Sequence, residues 1–136
     1  MILKGFKFIC FGNSVDNLKM AIEYGIIGLA KRHSFTTGER IYFVIKSENE
    51  WKVCGRAEAG GETDLNPYGK YYTYTVSHFE ACIPFSINEK SRQILGIYWG
   101  LNFQTPRTIN NSEYVQYIER SFKQCNNNEM LQTLES

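Results

Sequence analysis

Apolar and polar positions along this chain change period from two to about 3.6 and back, and each change marks an element. Phe6-Lys7-Phe8-Ile9-Cys10-Phe11 is an apolar run of strand length. Val15, Leu18, Ala21 and Ile22 then recur at helical spacing and predict a helix over 14–24, with Gly25 placed to end it. Residues 26–38 read as a loop that carries Lys31-Arg32-His33 and a Thr37-Gly38 turn. Ile41 to Ile45 is a buried strand. Ser47-Glu48-Asn49-Glu50 is a polar hairpin connection, and Trp51 to Ala59 returns as the partner strand. A long loop runs from Gly60 to Gly69, and loops of that length in compact domains are often functional. Tyr71–Val76 and Glu80–Ile87 read as two further strands, and Gln93–Trp99 as another. Asn102–Asn110 is a loop with Pro106 and Arg107. Asn111 or Ser112 caps a helix over 112–124, with Val115, Ile118 and Phe122 on one face.

The order strand, helix, several antiparallel strands, helix predicts an α+β fold. The expected architecture is a small mixed, mainly antiparallel β-barrel or strongly curved sheet flanked by helices. At 136 residues the chain fits one domain, read as residues 1–124, with 125–136 as a polar C-terminal tail. Apolar content of 43% is ordinary for a globular protein. Aromatic content of 15%, with nine Tyr and nine Phe, is rich enough to supply a stacking surface as well as a core.

Net charge is +1, so any nucleic-acid binding rests on a local patch and not on the field of the whole protein. Cys10, Cys54, Cys82 and Cys125 form no CxxC pair and are joined by two histidines alone, His33 and His78; the expectation is no metal site and no cofactor. The longest apolar runs fall far short of about twenty residues, so no membrane span is expected. Cysteines inside apolar strands act as small hydrophobes, which suits a reduced, cytoplasmic protein.

Candidate chemistry concentrates where the first strand meets the first helix. Asn13 stands at the strand end and Asn17 in the first helical turn, four residues on, so both amides can face one pocket. An amide presents a donor beside an acceptor and suits the edge of a nucleobase. Helix capping by Asn13 or Ser14 explains the same residues without a ligand.

The run Asn13, Asn17-Leu18, Ala21, Tyr24-Gly25-Ile26-Ile27-Gly28, then Gly38 to Phe43, then Cys54-Gly55-Arg56-Ala57-Glu58, resembles the YTH and EVE domains of the PUA-like superfamily. Trp99 to Phe103, with Glu113-Tyr114-Val115 and Ile118, is similar to the closing segment of EVE domains, so the resemblance spans about 6–124. It implies a small barrel flanked by helices that binds nucleic acid, RNA or DNA, by taking a modified base, such as a methylated one, into a pocket between the first helix and the barrel. It also implies base contacts from Asn13 and Asn17, with Gly28 presenting backbone to the base. Ile27 falls where these families place a Trp cage wall. Ile offers apolar contact to a methyl group but no aromatic face, so the identity of the base stays open. Aromatic walls are expected from Tyr71 or its neighbours Tyr68, Tyr72 and Tyr74, and from Trp99. The competing roles are sheet positions for the tyrosines and a core position for Trp99. Trp51, after the hairpin turn, reads as a cross-strand packing residue. Lys31, Arg32 and Arg107 are the candidate phosphate contacts.

Two other functions fit the residues. The PUA-like superfamily also includes ASCH-type domains, some of which look like hydrolases; a hydrolase acting on a modified nucleoside would here draw its acid or base from Glu58 or Glu80, with His78 and Cys82 nearby in sequence, although no nucleophile elbow, metal triad or phosphate loop is present. The domain also fits a targeting module of a restriction or RNA-processing system.

Overall fold

The computed structural model describes residues 5–12, 15–29, 32–65, 72–96 and 107–135. Its elements are β1 (Phe6–Gly12), α1 (Val15–Tyr24), β2 (Ile26–Leu29), β3 (Arg40–Ser47), β4 (Glu50–Glu62), β5 (Tyr72–Ser86), α2 (Asn88–Lys90) running into a π-helical turn (Ser91–Leu95), β6 (Arg107–Ile109) and α3 (Ser112–Glu135). All six strands join one sheet in the order β2-β5-β4-β3-β1-β6. β1 and β3 pair in parallel, with Phe8 opposite Tyr42, while the other ladders are antiparallel. A parallel pair needs a crossover, and α1 with β2 supplies it. Among the described residues β2 and β6 are edge strands with no ladder between them, so the sheet is mixed and mainly antiparallel but is not seen to close.

Each face of the sheet carries its own core. The central strand β3 is buried on both sides, which is why Ile41 to Val44 reads as a continuous apolar run. Tyr42 and Val44 face one way, with Phe6, Phe8, Trp51 and Val53, against Tyr114, Val115, Ile118 and Phe122 of α3. Ile41 and Phe43 face the other way, with Ile9, Ile27, Leu29 and Tyr74, against Ala21 of α1. Phe43 pairs with Gly55 and Val44 with Val53, so Cys54 is the extra residue of a bulge. A bulge shifts the side-chain alternation by one: the odd-numbered Trp51 and Val53 before it lie in the α3-side core, whereas the odd-numbered Ala57 and Ala59 after it join the α1-side core with Cys54. Cys54 and Cys82 are buried free thiols, as expected of cysteines in apolar strands.

Asn111 caps α3: the Tyr114 amide donates to Asn111 Oδ1 at 3.0 Å. Deeper in the interface, the fully buried Ser91 hydroxyl donates to the Ile87 carbonyl and so accepts from the Tyr114 hydroxyl, joining the π-helical turn to α3. Burial holds the Tyr114 hydroxyl far above the usual phenol range.

Several boundaries differ from the sequence reading, each for a tertiary reason. Ile26–Leu29, read as loop, is β2, stabilised by its ladder with β5. Gly60 to Glu62 continue β4; at Gly60 the Thr75 side chain presses so close that a Cβ would not fit. The two strands read over 71–76 and 80–87 are one strand, β5, with a register shift around His78, whose φ is +54°. The strand read from Gln93 is instead helical as far as Leu95, closed by Gly96 at φ +65°. Arg107–Ile109 pairs with β1 and is no loop. The last helix runs to Glu135, through most of the segment read as a tail.

Candidate nucleic-acid interface

Helix α1 ends as expected. Gly25, at φ +65°, accepts from the Val76 amide at 2.8 Å and turns the chain from α1 directly into β2. β2 therefore lies beside β5 with Ile27 opposite Tyr74, Gly28 opposite Thr73 and Leu29 opposite Tyr72. This ladder brings the sequence candidates of α1, β2 and β5 onto adjacent elements.

The candidates differ in what they present. Ile27 has 0% exposure and is part of the α1-side core, so it supplies apolar bulk from within the fold. Gly28 is buried in the same strand. Tyr74 is also buried, and its hydroxyl accepts from the His33 amide at 2.7 Å; it is a packing residue that anchors the chain after β2. Tyr72 is half exposed at the strand start. Asn17 lies in the first turn of α1, and Arg107 opens β6 opposite Phe8. Asn13, Lys31, Tyr68, Tyr71 and Trp99 lie outside the described residues. Trp51 packs within β4 against the α3-side core, as its place after the hairpin suggested.

The basic cluster has partners. Arg32 makes a two-pronged pair with Glu62, Nε to Oε1 at 2.9 Å and Nη2 to Oε2 at 3.1 Å. The hydrogen bonds, and after them the opposite charges, favour the ionised form of each partner, so the Arg32 pKa is raised and that of Glu62 lowered. The neighbouring His33 meets Lys7, which is nearly buried. The Lys7 ammonium lies 3.0 Å from His33 Nε2, 3.1 Å from the Ser34 carbonyl and 3.2 Å from Glu39 Oε1. An ammonium donates only, so His33 Nε2 is the acceptor and the ring is neutral. Burial, and then the Lys7 charge, hold the His33 pKa below its ordinary value, against a smaller opposing pull from Glu39. The segment 32–39 is thus fastened to the sheet from three sides, which a three-residue basic run does not announce.

The acid–base residues meet in one pair at the surface and otherwise engage different partners. His78 Nδ1 lies 3.1 Å from Glu58 Oε2 on an exposed surface, Glu80 pairs with Arg56 at 3.3 Å, and Cys82 is buried with its thiol directed to the Val53 carbonyl. Among the described residues no group of three His, Cys, Asp or Glu is placed to hold a metal ion. Among the same residues no helix is long and apolar enough to cross a membrane.

Sequence reasoning passed over a charged cluster on the α3 side. Arg40 Nη1 donates to both Glu119 oxygens, at 3.3 and 2.9 Å. Arg56 Nη1 donates to Glu119 Oε2 at 3.2 Å and to the Tyr42 hydroxyl at 3.3 Å, with its guanidinium over the Phe122 ring. Burial, with the Glu119 charge added, pushes the Tyr42 hydroxyl up to about 12. The signal in the sequence was two arginines, Arg40 at the head of the apolar run 41–45 and Arg56 within its partner strand.

Sheet order, crossover and flanking helices together define a YTH-like fold. Among solved structures, the YTH domain of the Zygosaccharomyces rouxii MRB1 protein, in complex with N6-methyladenosine RNA, is similar. It shares 16% identity, covers 90% of this chain and 91% of its own, and superposes with a TM-score of 0.51. At that identity the likeness is one of fold. No protein-family model matches the chain, and no curated protein matches it.

Proposed function

We propose that this chain is a nucleic-acid-binding module, not an enzyme, that takes a modified base into a pocket where β1, α1 and β2 meet. The observation that carries the reading is the likeness of fold, over nine-tenths of both chains, to a domain solved with N6-methyladenosine RNA. On this reading Asn13 and Asn17 hydrogen-bond the base edge, and the backbone of Gly28 borders the pocket. Tyr71 and Trp99 stack on the base, each stack contributing roughly 1–3 kcal/mol. Ile27, wholly buried, backs the pocket with apolar bulk and favours a methyl group without stacking on it. Lys31, Arg32 and Arg107 hold flanking phosphates, with Glu62 the carboxylate that a phosphate must displace from Arg32. Single-stranded RNA or DNA is the favoured form, since extruding a base from a duplex costs a few kcal/mol. Membership of the PUA-like superfamily beside EVE domains, closure of the sheet into a barrel and a cytoplasmic location complete the proposal.

The test is binding of fluorescent RNA and DNA oligonucleotides, unmodified or carrying methylated adenine or cytosine. A preference for one modified base, reduced about tenfold or more by Asn13→Ala, is the expected result; tenfold corresponds to about 1.4 kcal/mol, within reach of one lost charge-neutral hydrogen bond. Equal affinity of wild type and Asn13→Ala for every modified oligonucleotide would refute the assignment.

A further inference from the structure

We propose that the open cleft between the turn at 36–39, the first residues of β3 and the outer stripe of α3 is a phosphate-binding surface for the backbone of a nucleic-acid strand, with Arg40, Arg120 and Lys123 as its contacts. It rests on the nucleic-acid reading above but not on base recognition. The cleft has a volume of about 870 Å³. It lies on the α3 side of the sheet, whereas Ile27 belongs to the core of the opposite face.

The helix builds one wall by its periodicity. Val115, Ile118 and Phe122 turn into the core, which leaves Glu119, Arg120 and Lys123 along the cleft. The floor is Arg40 and Arg56, each one strand from the other on the same face. Four cations thus line the cleft with two carboxylates, Glu39 and Glu119, while Arg56 also pairs with Glu80 beside it. Glu119 is already shared by Arg40 and Arg56, and Glu39 is paired with Lys7. Arg120 and Lys123 have no ion-pair partner among the described residues and are exposed. The surplus is positive and sits on rigid elements, one helix and two central strands.

The ligand class follows from what the cleft offers. Arginines at fixed positions suit phosphate oxygens, which they meet with paired donors. The Phe122 ring is capped by the Arg56 guanidinium and Tyr42 is buried, so neither of these rings is free for a base to stack on. Recognition here is of charge and spacing, and the volume exceeds the share of a single phosphate. A strand passing through would be held by its backbone, with sequence read elsewhere.

The experiment measures binding of a fluorescent single-stranded oligonucleotide, with and without the preferred modification, across a salt series. Three proteins are compared: wild type, Arg120→Gln with Lys123→Gln, and a control with Lys90→Gln and Arg92→Gln, which removes the same charge from exposed positions outside the cleft. For single strands log K falls with log salt by about 0.7 per phosphate neutralised, so losing two contacts lowers the slope by about 1.4. With the 1 M intercept unchanged, affinity at 0.1 M salt falls roughly 25-fold. The expected result is that loss in the cleft variant alone, equal for modified and unmodified strands. An unchanged slope, an equal loss in the control, or no oligonucleotide binding by wild type at low salt overturns the proposal. Binding of inorganic pyrophosphate without binding of the oligonucleotide overturns the strand as ligand. Failure of base recognition shows separately, as absence of preference between strands in a wild type that still binds.

Discussion

Glu119 joins α3 to the sheet, and removing it tests how much of the helix docking is electrostatic. The carboxylate is about one-fifth exposed and accepts three hydrogen bonds from two arginines of β3 and β4. Hydrogen bonds to charged groups contribute about 1.5–3 kcal/mol each when buried, and exposed pairs less than about 1. Arg40 is one-third exposed and its pair counts near the lower figure. Arg56 is the more buried partner but retains Glu80, Tyr42 and the Phe122 ring when Glu119 is lost. The expected cost of Glu119→Ala is therefore about 2 kcal/mol, well short of an orphaned buried charge at about 3–5. Glu119→Gln keeps an acceptor oxygen and is expected to cost about half as much. Urea unfolding followed by far-ultraviolet circular dichroism measures both. A second readout is the Tyr42 hydroxyl, which should titrate below its wild-type value near 12 once the carboxylate that helps hold it up is gone. If Glu119→Ala changes stability by less than about 0.5 kcal/mol, the apolar stripe holds the helix alone and the reasoning is refuted.

Three further outcomes follow from the same structure. Phe122→Ala removes a fully buried ring from the α3-side core and also uncovers Arg56; about 3–5 kcal/mol of stability should be lost, and thermal or urea melts that shift by less than 1 would contradict the packing. Ser91→Ala leaves the buried Tyr114 hydroxyl without its acceptor and should cost about 1–3 kcal/mol, much of it recovered when Tyr114→Phe is added, so a double-mutant cycle without coupling would count against the link. His33 has a folded pKa below its unfolded value of about 6.5, so the unfolded chain binds the extra proton first; stability is full above about 6.5, falls as pH drops from there towards the folded pKa, and levels off below it, and His33→Gln should flatten that part of the stability profile.

The periodicity of the chain determined much of this molecule by local physics. Apolar runs of strand length announced β1, β3 and β4, helical spacing announced α1 and α3, and the Asn111 cap and the Gly25 stop were legible because both depend on residues within one turn. The thiols of Cys54 and Cys82 were legible as core for the same reason. Other features depend on partners far along the chain. Ile26–Leu29 is a strand because β5 lies beside it, and four residues carry too little pattern to say so. The register shifts in β4 and β5, which carry Ala57 and Ala59 to the α1 side and accompany the positive φ of His78, depend on how each strand meets its partner and have no local pattern. The helical turn at 88–95 is held by Asn88 accepting from the Trp51 amide and by Ser91 meeting Tyr114, contacts with no local signature. At the candidate interface the sequence named residue types suited to a base, but only the fold decided that Ile27 is wholly buried, that Tyr74 is an anchor and that Arg32 pairs with Glu62. Arg40, Arg56 and Glu119 stand far apart in the chain, and it is tertiary packing that joins them, because ionic interactions are set by distance in space and leave no period in sequence.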